Sequence, residues 1–134
     1  FYDENYQYQY GKCDRIREGA KITIAATGAC VHEALKARGE NPDIEIIAVS
    51  SIKQFDETLI NSIKKTGKLL TVEDHNTHSG LGSQIARYLA QNNIHTTKFH
   101  MLGVEQYQLS GTAKELYHTA KIDSQAIAET IKLW

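Results

Sequence analysis

The densest set of side chains able to do chemistry is Glu73-Asp74-His75-Asn76-Thr77-His78-Ser79, with two imidazoles and two carboxylates. Such groups can ligate a metal or move protons. Ligation requires donors that converge on one point, and no helical or hairpin spacing here brings these around one. The plainer reading is a polar loop whose acids cap the next helix and face a neighbouring surface. Gly80-Leu81-Gly82-Ser83-Gln84-Ile85 follows and invites comparison with the G-x-G-x-x-G dinucleotide fingerprint. Ile85 replaces the third glycine, and the first acid downstream, Glu105, stands too far and too isolated for a ribose ligand expected about 20 residues on. The small residues are read instead as letting a helix N-terminus pack closely on a sheet.

Other chemistry finds less support. Thr27-Gly28-Ala29 lacks the G-x-x-x-x-G-K-[ST] pattern of a phosphate loop, and no G-x-S-x-G elbow occurs. Cys30 falls near a helix start, where the dipole favours a thiolate, but its one local base, His32, lies on another helical face. Cys30 is therefore read as buried and inert. His95, His100 and His118 are scattered singly and read as surface or internally bonded residues. No catalytic, cofactor-binding or metal residue is assigned. Glu73, Asp74, His75, His78, Gly80 and Gly82 form the candidate interface or ligand loop.

Elements that position this loop are legible from periodicity. Lys21 to Ala26 reads as a strand, and Val31, Ala34, Leu35 and Arg38 mark one face of a helix that Gly39 closes. Ile44 to Val49 is a nearly continuous apolar run, as in a strand buried on both faces. Asp56 is placed as N-cap of a helix carrying Leu59, Ile60 and Ile63, and Lys68 to Val72 is the next strand. Leu81, Ile85, Tyr88 and Leu89 make a further helix, followed by a strand around Thr96 to Leu102. Thr112 and Glu115 fit a capping box, and Asp123 opens a last helix with Ile127, Ile131 and Trp134 on one stripe. Cys13 to Arg17 is read as an edge strand, antiparallel because Gly19-Ala20 is too short for a parallel crossover. This alternation predicts an α/β fold: a three-layer α/β/α open sheet of about five strands, mostly parallel, with one antiparallel edge strand.

The 134 residues suit a single domain, and a net charge of −1 gives no basic surplus for nucleic acid or an anionic membrane. No run reaches the roughly 18 apolar residues of a membrane span. Two distant cysteines, Cys13 and Cys30, make neither a disulfide scaffold nor a C-x-x-C motif and suit a reducing, cytoplasmic compartment. Phe1, Tyr2, Tyr6, Tyr8 and Tyr10 concentrate aromatic rings ahead of Gly11, in a stretch too short and polar to make its own core.

The order of the pieces is more specific than any one of them. Gly11-Lys12-Cys13, Ile16-Arg17-Glu18-Gly19 and Ile22 to Gly28 resemble the opening of the C-terminal domain of transketolases and related thiamine-diphosphate enzymes. Ser51-Ile52-Lys53 with Phe55-Asp56, Leu70 to His75, Ser79 to Ser83, Gly103-Val104 and Ser110-Gly111 resemble successive blocks of that family. Gln54 stands where the family usually has proline, and Ser79 where a first glycine is common.

The resemblance implies a parent enzyme that moves a two-carbon ketol unit between ketose and aldose phosphates. It implies thiamine diphosphate and a divalent metal, magnesium or calcium, held by the preceding domains, with no cofactor in this chain. It also implies packing against those domains and a second subunit, normally as a homodimer. On this reading residues 1–10 are an interdomain linker remnant, 11–134 the C-terminal domain, and the isolated chain is inactive. Two alternatives stay open: the equivalent domain of a 2-oxoacid dehydrogenase beta subunit or a deoxyxylulose-phosphate synthase, and a small regulatory domain binding an anion or nucleotide at Thr27-Gly28 and the Glu73 to His78 loop.

Overall fold

A computed structural model describes residues 2–134, so Phe1 lies outside the described residues. Five strands, β1 (Cys13–Arg17), β2 (Ile22–Ala26), β3 (Ile44–Val49), β4 (Lys68–Val72) and β5 (Lys98–Leu102), form one sheet in the order β1-β3-β2-β4-β5. β1 runs antiparallel to β3 and every other pairing is parallel. The helices are α1 (Cys30–Arg38), α2 (Glu57–Thr66), α3 (Leu81–Gln91), α4 (Ala113–Ala120) and α5 (Ser124–Lys132). The predicted architecture is the observed one, including the antiparallel edge.

Two apolar layers sandwich the sheet. Ile24, Ile46, Leu70 and Val72 pack with Val31 and Ala34 of α1 and Ile127 of α5. On the opposite face Ala25, Ile47 and Leu69 pack with Leu59 and Ile63 of α2 and with Leu81, Ile85 and Leu89 of α3. Cys30 has no solvent exposure, and burial pushes its thiol up to about 12, so it is not a thiolate nucleophile. Because β1 pairs with β3, the link from β1 to β2 must cross the start of β3. Gly19 makes that crossing, and any side-chain carbon there would overlap the backbone of Ile44 and Glu45.

One residue breaks the apolar reading of β3. Glu45 is fully buried on the α2 side, between Arg15 Nε of β1 at 2.5 Å and Lys65 Nζ of α2. Neither carboxylate oxygen has a partner of hydrogen-bond geometry, so charge rather than direction holds this triad. Beside it Thr23 Oγ1 bonds Ser62 Oγ at 2.7 Å and Thr66 Oγ1 at 2.8 Å, which makes the seam under α2 polar.

The caps follow the expected residues, with one change. Thr112 and Glu115 form the capping box of α4, and Asp123 Oδ1 accepts from Ala126 N at 2.9 Å. Asp56 is the N-cap residue of α2 but makes no side-chain cap bond; its Oδ2 accepts from Thr58 Oγ1 at 3.2 Å. Glu33 of α1 accepts from Ser124 N at 2.9 Å and so ties α5 to α1. Burial works to raise the Glu33 and Asp123 carboxyls, but hydrogen bonds from Lys36 and Ser124 to the first, and from Ala126 and His118 to the second, hold both below their usual values. Stability from such groups is complete above the unfolded-state carboxyl pKa of about 4 and is lost as pH falls through the lowered folded values. Acid is therefore expected to loosen the α5 attachment first. Amide exchange at Ser124 and Ala126 should lose protection at a higher pH than exchange in β2 and β3, and simultaneous loss would refute this.

Candidate functional site

The carboxyl ends of β4 and β5 lead into two loops that meet. β4 closes on β5 through the bond from Glu73 N to Leu102 O, 3.0 Å, and the chain then turns through 74–79 into α3. Glu73 is 1% exposed, and its side chain points forward rather than out. Oε2 accepts from Leu81 N at 2.6 Å and Oε1 from Gly82 N at 2.9 Å. A carboxylate on the first amides of a helix satisfies donors without an internal partner and meets the positive end of the dipole. Gly80 is required because a side-chain carbon there would overlap Glu73 Oε2. Gly82 lets α3 approach the sheet, since a carbon there would lie 2.5 Å from Met101 Sδ and 2.7 Å from Thr71 Oγ1. The expected cap and the close helix packing are both present, and Glu73 makes the cap.

The rest of the loop is knitted to the stretch between β5 and α4 and to α4 itself. Val104 N donates to His75 O at 2.9 Å, and Tyr117 Oη donates to Asp74 Oδ2 at 3.0 Å. Burial, then Asp74, pushes the Tyr117 phenol up to about 12. Buried Thr77 donates to Glu105, and Ser83 Oγ donates to the Thr77 carbonyl. His78 Nε2 lies 3.9 Å from Glu105 Oε2. Glu105, isolated in the sequence, is thus a partner of this loop in space. Thr77, Ser83, Glu105 and Tyr117 were not legible as site residues, because each bond spans a gap that no local pattern marks.

Six candidate residues divide into two groups. Glu73, Gly80 and Gly82 are buried in the cap and cannot meet a partner, whereas Asp74, His75 and His78 are at the surface. Beside these three, the segment 104–112 carries Tyr107, wholly exposed, and Leu109, 86% exposed. A groove of about 400 Å³ runs between this segment and α4, lined by Val104, Tyr107, Leu116, Tyr117 and Ile122, with Asp74 at its rim.

At both strand ends several of the amides that an anion would use already have acceptors. Glu73 occupies the amides of α3, where a diphosphate would sit, so this end does not fit the phosphates of a thiamine cofactor or nucleotide. At α1 the amides of Cys30, Val31 and His32 already donate to the carbonyls of Thr27, Gly28 and Ala29. Among the described residues no three His, Cys, Asp or Glu side chains group to hold a metal ion, and no helix is long and apolar enough to cross a membrane.

The family model described as the transketolase C-terminal domain matches residues 11–127. The chain belongs to this family. This transketolase C-terminal domain is 30% identical over 134 residues to one subunit of the apulose-4-phosphate transketolase of Actinobacillus succinogenes, covering 96% of the chain and 43% of that protein. It is 35% identical over 131 residues to 1-deoxy-D-xylulose-5-phosphate synthase of Clostridium perfringens, covering 92% of the chain and 21% of that protein. Its fold matches a solved split-gene transketolase, an inactive beta4 tetramer, with a TM-score of 0.87 at 24% identity, over 98% of the chain and 44% of that one. The domain thus spans less than half the length of these relatives.

Proposed function

We propose that this transketolase C-terminal domain serves assembly: it packs against the preceding domains and a second subunit of a homodimeric, cytoplasmic enzyme while chemistry occurs elsewhere. The parent transfers a two-carbon ketol unit between sugar phosphates, with thiamine diphosphate and magnesium or calcium held by the other domains. The observation that carries this reading is the division of the strand-end loop. Glu73 is committed to α3, and the part left outward is contact surface: Asp74, His75 and His78 beside Tyr107 and Leu109. Exposed aromatic and aliphatic groups among a few charges suit an interface core with a polar rim. Residues 2–12 reach β1 at this same end, because the antiparallel β1 begins opposite Val49, the last residue of β3. That start lies on the edge of the sheet opposite β5, whose strand end carries the surface.

The chain incubated with thiamine diphosphate, magnesium, a ketose phosphate donor and an aldose acceptor is expected to show no transfer above the protein-free control. Measurable turnover by the chain alone would overturn the assembly role.

A further inference from the structure

The segment ahead of β1 is folded back on the domain. Tyr2 and Tyr6 both donate their phenolic hydroxyls to one atom, Asp14 Oδ2, each at 2.6 Å. Their rings stack with centroids 3.8 Å apart and planes 28° from parallel. A turn sets this up: Tyr6 N donates to Asp3 O at 3.2 Å, and Asn5 N donates to the Asp3 side chain at 2.9 Å. Asp14 belongs to the ladder, opposite Ala48 of β3, so the acceptor is fixed to the sheet. The segment's other end is fixed as well. Lys12 N donates to Gln9 O at 3.1 Å, Ser50 Oγ donates to Lys12 O at 3.2 Å, and Gly11, at a positive φ of 77°, packs against the Gln54 side chain.

Residues 2–12, most of them in the stretch read as an interdomain linker, are thus pinned to the domain at both ends. Of the four described aromatic residues ahead of Gly11, two are used within the chain, and Tyr8 and Tyr10 are left the more exposed pair. Hydrogen bonds to an ionised carboxylate are about twice as strong as neutral ones. Burial and the Asp14 carboxylate together raise the Tyr2 phenol, and the Asp14 bond is the main cause of the rise at Tyr6.

We propose that residues 2–10 are a strap clamped to the edge strand by two phenols on Asp14, so that a polypeptide joined upstream continues the sheet edge as a rigid extension instead of a swinging tether. The strap is a conformational device: losing the clamp frees the approach angle of the upstream chain without disturbing the core.

Chymotrypsin, which cuts after Tyr and Phe, reads this directly. Tyr2→Phe/Tyr6→Phe removes only the hydroxyls and keeps both rings; Asp14→Ala removes the acceptor. Both variants are expected to be cut after Tyr8 and Tyr10 about tenfold faster than the wild type, the factor that corresponds to 1.4 kcal/mol of opening. Their thermal midpoints should stay within about 2 °C, since surface changes away from the core have small effects. Equal cleavage rates in wild type and the phenylalanine pair, whether fast or slow, would overturn the clamp. If Asp14→Ala lowers the midpoint further, the phenylalanine pair alone decides.

Discussion

A chain carrying Arg15→Ala and Lys65→Ala together is expected to lose about 3–5 kcal/mol of unfolding free energy, while Glu45→Met loses about 1 kcal/mol or less. The asymmetry comes from where the three groups sit. Glu45 has no solvent exposure, whereas the Arg15 and Lys65 side chains are 38% and 46% exposed. Removing the acid lets both cations turn to water and leaves an apolar side chain on the sheet face under α2, beside Thr23. Removing the cations strands a carboxylate with no other charged partner, which escapes only by taking up a proton or drawing water under α2. A loss of that size is a large share of the roughly 5–15 kcal/mol that holds a domain folded. Urea midpoints at constant slope measure it. A Glu45→Met chain less stable than the double alanine chain would show that the triad contributes net stability and that this reasoning is wrong.

Glu73→Ala is expected to cost about 3 kcal/mol, because two buried amides, Leu81 N and Gly82 N, lose their acceptor together. Glu73→Gln retains one acceptor oxygen and turns an amino group toward a donor, so its cost should fall between. Gly80→Ala should resemble Glu73→Ala, since the added methyl displaces the carboxylate from its place. Hydrogen exchange locates the effect: Leu81 and Gly82 should lose protection in Glu73→Ala and Gly80→Ala, and one of the two in Glu73→Gln, while β2 and β3 keep theirs. Unchanged exchange at those two amides in Glu73→Ala would mean that Glu73 does not cap α3.

Much of the fold is legible in the sequence. Strand positions, the antiparallel edge, the Thr112–Glu115 capping box and the Asp123 cap depend on neighbours within a few residues, and local spacing records them. Glu45 is hidden there because one acid in Ile-Glu-Ile-Ile-Ala-Val barely disturbs an apolar run; its partners lie on β1 and α2, fixed only by the strand order. At 73–82 the residue types are conspicuous but their use is not. The same carboxylate can hold a metal, a proton or a helix, and only the direction of the Leu81 and Gly82 amides decides. Tyr2 and Tyr6 are conspicuous as a cluster of rings ahead of the domain, but their shared acceptor, Asp14, is marked by no local pattern, and two of the four described rings there bond within the chain.

The order β1-β3-β2-β4-β5 also bears on how the chain finds its fold. Among the described residues no two strands are joined as a hairpin; consecutive partners are linked through a helix, and β1 must wait for β3. Each ladder therefore closes a loop of many residues before its first bond forms, so backbone entropy is lost well before sheet hydrogen bonds repay it. β2, the central strand, flanked by β3 and β4 that are themselves paired on both sides, is the natural nucleus. β1 and the strap clamped to it then come last, completing the edge only after the rest of the sheet exists.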